Sequence, residues 1–224
     1  MTTATSVKAV VETPLSIDHA VPGSDARPAW RSALRPGRRS ASRDAQFPAT
    51  RAFDSDRAAW QAIAVCLGWS AMIVAAHHTR TGPVGHRTAL VLHLVSLAVG
   101  FGTVLAVDAC GLAVLAGRRT IGWMLRFSAR ADALIWAGFT GLGVSGVFLD
   151  PKFGNAATLV NLYAVLVVGL NGVYAGTVRD RIPVLADDAG VQDLPRSLLL
   201  RALGSGLLSQ AAWWTSIMIG TFAS

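Results

Sequence analysis

Five long apolar runs occupy the last three quarters of the chain, at 58–76, 88–117, 133–149, 155–178 and 198–223. Each is bounded by arginine or by Gly, Pro or Asp. A bilayer-spanning helix needs about 20 mostly apolar residues at about 1.5 Å each, and these runs meet that length. Within their cores only His93 and Asp108 carry an ionisable group, with Arg201 just inside the fifth run. The pattern predicts an all-α fold: a polytopic transmembrane helical bundle of about five spans.

Charge is segregated in the same way. Nine of the 20 Lys and Arg residues precede Ala58. Residues 1–57 also hold five prolines, among Arg, Ser, Ala and Asp, and no helical or strand period persists there. The sequence therefore predicts two zones: a disordered basic cytoplasmic tail over 1–57 and a five-helix transmembrane domain over 58–224. The pair Arg38-Arg39 precedes the first apolar run by about 20 residues, too far for a twin-arginine export signal. The first span is expected to stay in the chain. A sequence pI near 10.7 raises nucleic acid as a partner. The basic residues flank apolar runs, however, so the lipid bilayer is the expected partner and nucleic acid is not. Homo-oligomerisation stays open.

Orientation follows from the basic residues between the runs. The tail carries nine, the stretch after the second run four (Arg118, Arg119, Arg126, Arg130), and the stretch after the fourth run four (Arg179, Arg181, Arg196, Arg201). The alternate stretches carry Arg80 and Arg87, then Lys152. Seventeen against three places the tail inside. Five crossings in a bacterial inner (plasma) membrane then leave the C-terminus outside.

Two constellations are candidates for chemistry. Asp108 lies ten residues before Arg118, so about 15 Å deep if helical. A carboxylate at depth costs about 3 kcal/mol on insertion scales, so it is protonated, partnered or set against a wet cavity. Asn161, Asn171, Gln210 and Arg201 are the candidate partners, and Asp108 with Asn161, Asn171 and Gln210 is a candidate proton or cation site. The competing role is interhelical glue. The second constellation is histidine-rich: His77, His78, His86 and His93 fall in the stretch HHTRTGPVGHRTALVLH. Imidazole ligates copper, zinc and haem iron, and a helical hairpin brings both helix ends together. A metal site, with copper or haem as the candidate cofactor, competes with histidines seated at the membrane interface. His93, inside a run, is the candidate cofactor ligand. Fifteen residues at about 100° place His93 and Asp108 about 60° apart on the helix wheel, on one face with Gly100, Val104 and Gly111.

The tryptophans Trp60, Trp123, Trp213 and Trp214 read as an interfacial belt. Cys66 and Cys110 sit inside apolar runs and read as small hydrophobes. There is no Ser/His/Asp triad, P-loop or dinucleotide glycine fingerprint, so no reaction class is indicated.

Several short motifs occur together: His93-Leu94-Val95, Gly100-Phe101-Gly102, Asp108, Trp136, Ser145-Gly146, Asn171-Gly172 and SQAAWWTSIMIG over 209–220. Over 58–224 this pattern resembles a group of small bacterial integral membrane proteins of unassigned activity, loosely similar to the copper-resistance D family. The resemblance implies a helical membrane bundle and supplies no reaction. Asn161 departs from the lysine common there in such proteins, which leaves Asp108 without that ion pair. The expected function is handling of a small cation, proton or metal through the bundle interior. The alternatives are a haem- or quinone-associated redox subunit using His93, and an accessory protein that recruits a partner through its tail.

Overall fold

The computed structural model describes residues 47–182 and 190–222, with side chains from Asp56 onward. Five α-helices account for nearly all of them: α1 (Phe47–His78), α2 (Pro83–Leu115), α3 (Ile121–Gly146), α4 (Ala156–Arg181) and α5 (Arg196–Phe222). A short 3₁₀ turn, Val191–Asp193, precedes α5. There is no strand among the described residues. The expected basic tail lies, as far as Gln46, outside the described residues. Its last part, from Phe47, is the start of α1 instead, eleven residues ahead of the first apolar run at Ala58. Pro48 suits the first turn of a helix, where an N–H has no partner to lose.

Local chemistry fixes the helix ends. Pro83 opens α2. Its other end is closed by Gly117, at φ +68°. There the Gly117 N–H donates to the Val114 carbonyl at 2.9 Å and the Arg118 N–H to the Ala113 carbonyl at 2.8 Å. This is a Schellman closure, and glycine adopts its left-handed conformation at little cost. Thr120 caps α3 by accepting the Trp123 N–H, and Asn155 caps α4 by accepting the Ala157 N–H.

The helices pack as two antiparallel hairpins. α3 returns along α2, shown by the pairs Gly100/Gly138 and His93/Ser145. α5 returns along α4, shown by the pairs Asn171/Ser205 and Asn161/Ser216. These are the two most extensive helix packings, and α1 lies against α4 and, less, against α3. Trp69 ties α1 down by donating its indole N–H to the Leu162 carbonyl at 3.0 Å. The main core forms where the hairpins meet, from Phe101, Val104, Leu142, Val168, Ala212 and Trp213. A second, smaller core of Val114, Ile121 and Ile182 lies at the arginine-rich ends of the helices.

The outward faces are apolar. Trp60, Leu67, Val74, Leu92, Leu94, Leu200 and Leu207 are all exposed, as suits a hydrocarbon surrounding. Among the described residues, three helical stretches are long and apolar enough to cross a membrane: Asp56–His78, α2 and α4. α3 carries Arg126, Arg130 and Asp132 in its first half, and α5 carries Arg196, Arg201 and Gln210. The expectation of five spans is thus met as five helices, three of them membrane-spanning by their own length and composition.

Candidate functional site

Two turns from the arginine-rich end of α2, Asp108 faces α5. Gln210 donates its side-chain N–H to Asp108 Oδ2 at 2.5 Å. The orientation of that amide is fixed from behind, because Trp214 donates its indole N–H to Gln210 Oε1 at 3.1 Å. The –NH2 group therefore points at the carboxyl. Asp108 Oδ1 lies beside Gly206, whose missing side chain leaves room there: a Cβ at that position would stand 3.9 Å from the oxygen. Of the four candidate partners, Gln210 reaches Asp108. Asn161 accepts a hydrogen bond from Ser216, Asn171 pairs with Ser205, and Arg201 is exposed.

Asp108 and Gln210 line a cavity of about 490 Å³ between the two hairpins. It occupies the half of the bundle that ends in the arginine-rich loops. Its walls are mostly apolar, from residues such as Val104, Met124, Ile135, Val168 and Leu199. Three aromatic side chains, Trp136, Phe139 and Trp213, also line it. Trp136 and Phe139 meet edge to face at 5.7 Å, and Trp213 packs on Phe101 at 5.4 Å. The charged residues of the lining are Asp108, Asp132 and Arg179. Arg179 lies 3.6 Å from Asp132 and 3.5 Å from Asp180, which is outside the lining, so Asp132 has a basic partner and Asp108 has none among the described residues. Trp213 departs from the expected interfacial belt: it is 3% exposed, and its indole N–H is buried without a hydrogen-bond partner.

His93 stands apart from this cavity. Its Nδ1 lies 3.0 Å from Ser145 Oγ on α3. Ser145 Oγ is 2.6 Å from the Gly141 carbonyl, and its single hydrogen goes there. His93 Nδ1–H is then the donor, and Nε2 carries the lone pair that a metal or haem iron would use. His77 and His78, exposed at the end of α1, contact each other edge to face at 5.4 Å, and His77 also meets Phe153 at 5.9 Å. His86 lies in the first turn of α2. The hairpin does not converge these four: among the described residues no three His, Cys, Asp or Glu side chains form a group able to hold a metal ion.

Sequence reasoning did not single out Ser145, Ser216 or the Arg179–Asp132 pair as partners. Ser145 and Ser216 are small polar residues in apolar runs, a signal of interhelical hydrogen bonding. Asp132 lies just before the third run and Arg179 just after the fourth. No family model, curated protein or solved structure matches this chain.

Proposed function

We propose that this is an integral protein of the plasma membrane that holds a small cation, a proton included, at Asp108 in the bundle interior. One observation carries the reading: a carboxyl group on a helix long and apolar enough to cross a membrane lines a cavity, with one oxygen held by Gln210 and the other beside Gly206. An acid at such depth is costly, and acids kept within membrane helices mark ion and proton sites. Three other interior polar pairs satisfy each other. Asn171 with Ser205, Asn161 with Ser216 and His93 with Ser145 act as glue between helices. Among the described residues, Asp108 has a hydrogen-bond partner on one oxygen only. In this reading the carboxyl exchanges its proton for the cation. The arginine-rich loops lie in the cytoplasm, by the excess of basic residues on that side, so the site lies in the cytoplasmic half of the bundle.

The test is proton release. Salts of monovalent and divalent cations are titrated into detergent-purified protein in weak buffer, with a pH dye as the readout. The wild type is expected to release a proton as the cation binds, and Asp108→Asn to release none while folding normally. Equal release from both proteins would remove Asp108 from the role.

A further inference from the structure

We infer that the ligand of this cavity is a lipid-soluble organic monocation, such as an alkyl- or arylammonium, that reaches Asp108 from the bilayer between α2 and α5. The inference rests on the proposed cation role of Asp108 and names its substrate class. Three features set that class. Size is the first: about 490 Å³ is room for a drug-sized molecule and far more than a bare ion needs. Chemistry is the second. The walls are apolar and carry the indoles of Trp136 and Trp213 and the ring of Phe139, surfaces that attract organic cations through their π faces. Charge is the third. Asp132 has Arg179 beside it, so the one acid of the lining without a basic partner among the described residues is Asp108, which matches a single positive charge.

The route follows from the packing. α2 pairs with α3 and α5 with α4, whereas α2 and α5 do not form an extensive packing with each other. Leu112 on α2 and Leu207 on α5 both line the cavity and are 66% and 73% exposed. The cavity wall thus continues directly into the lipid-facing surface, the path an amphiphile takes from the membrane. On binding, the carboxyl O–H breaks, the proton passes to water and the carboxylate faces the cation.

Radiolabelled tetraphenylphosphonium and equilibrium dialysis of the purified chain test this. About one cation should bind per chain. Decylammonium should displace it and decanol should not. Asp108→Asn should weaken binding by about thirtyfold, the loss expected when one member of a desolvated charge pair is removed. Gly206→Leu keeps the carboxyl but fills the space beside it, and should weaken binding by about tenfold. If that variant does not fold, Leu207→Trp at the cavity mouth replaces it, with the same expectation. Phosphonium binding unchanged in a folded cavity-filling variant would overturn the inference. Sodium or potassium ions that release the Asp108 proton, with no phosphonium or decylammonium bound, would overturn it and leave the cation role of Asp108 standing. Absence of proton release with every cation would end both.

Discussion

Asn171 and Ser205 hold α4 to α5 through two reciprocal hydrogen bonds. Asn171 Nδ2 donates to the Ser205 carbonyl at 3.0 Å, and Ser205 Oγ donates to Asn171 Oδ1 at 3.1 Å. Both residues are buried. Apolar packing gives helices in lipid little preference for one rotation over another, because lipid tails are as apolar as leucine. A two-point amide–serine clamp does fix rotation. It sets which face of α5 turns toward α2, and so brings Gln210 to Asp108.

Removing the clamp should therefore cost more than one hydrogen bond. Ser205→Ala loses the hydroxyl donor but keeps the backbone acceptor, and should cost about 0.6–1.7 kcal/mol, the range for interhelical bonds in membranes. Asn171→Leu loses both bonds and should cost more. Thermal unfolding in detergent checks both variants. A neutral Asn171→Leu would show that the clamp contributes nothing to the packing.

Gly100 and Gly138 set the closest approach of α2 and α3. A Cβ on Gly138 would collide with the Gly100 backbone, which cannot yield as a flexible side chain would. Gly138→Ala should destabilise the bundle by about 1–3 kcal/mol. At Gly102, two residues from Gly100, an added Cβ would meet nothing within 4 Å. Gly102→Ala should be neutral or stabilising by up to about 1 kcal/mol through helix propensity. Equal effects at the two positions would refute the close-packing role of Gly138.

The positions of helices were legible in the sequence and their rotations were not. Arginine and glycine punctuate the apolar runs, so Gly117 and Asn155 mark ends that the structure keeps. The start of α1 was hidden because the helix extends ahead of the apolar run, where polar residues can be helical without a hydrophobic signal. The faces were hidden for a deeper reason. A helix that is apolar on all sides carries little record of which side meets protein and which meets lipid. Hence Trp213 read as interfacial, although it is core. Hence also Asp108 had four candidate partners, and only the rotation of α5 selects Gln210 over Arg201.

Orientation gives an independent prediction. Reporter fusions in the loop at Arg118–Arg119 should report the cytoplasm, and fusions at Lys152 the opposite side. The same reporter placed after Phe222 tests whether α5 crosses the membrane. An outside signal is expected. A cytoplasmic one would show that α5 packs on α4 without crossing.

His93 and Ser145 predict a tautomer. With the Ser145 hydrogen committed to the Gly141 carbonyl, the imidazole should carry its proton on Nδ1. Nitrogen-15 NMR of protein labelled at histidine should show a protonated Nδ1 and a bare Nε2 for this residue. Ser145→Ala removes the serine acceptor and should weaken the tautomer preference, since the Leu142 backbone stays beside the ring. A protonated Nε2 in the wild type would mean that the serine donates to His93 instead.

The Asp108–Gln210 pair separates glue from site. Trp214 holds the Gln210 amide in place, so the amide N–H cannot turn away if its acceptor disappears. Asp108→Leu should leave that donor stranded at a cost of about 1–3 kcal/mol. Asp108→Asn retains an acceptor oxygen for Gln210 and should be nearly neutral. The double variant Asp108→Leu, Gln210→Leu removes both ends of the bond and should recover much of the stability lost by Asp108→Leu alone. Thermal unfolding of the four proteins forms a double-mutant cycle, and a coupling energy near zero would show that the hydrogen bond does not act in the folded bundle. Cation-coupled proton release is measured on the same set. Asp108→Asn is the decisive variant, since it keeps the bond while losing the titratable group. Wild-type stability with lost proton release is the outcome expected of a functional carboxyl, whereas wild-type behaviour in both assays would leave Asp108 with a structural role alone.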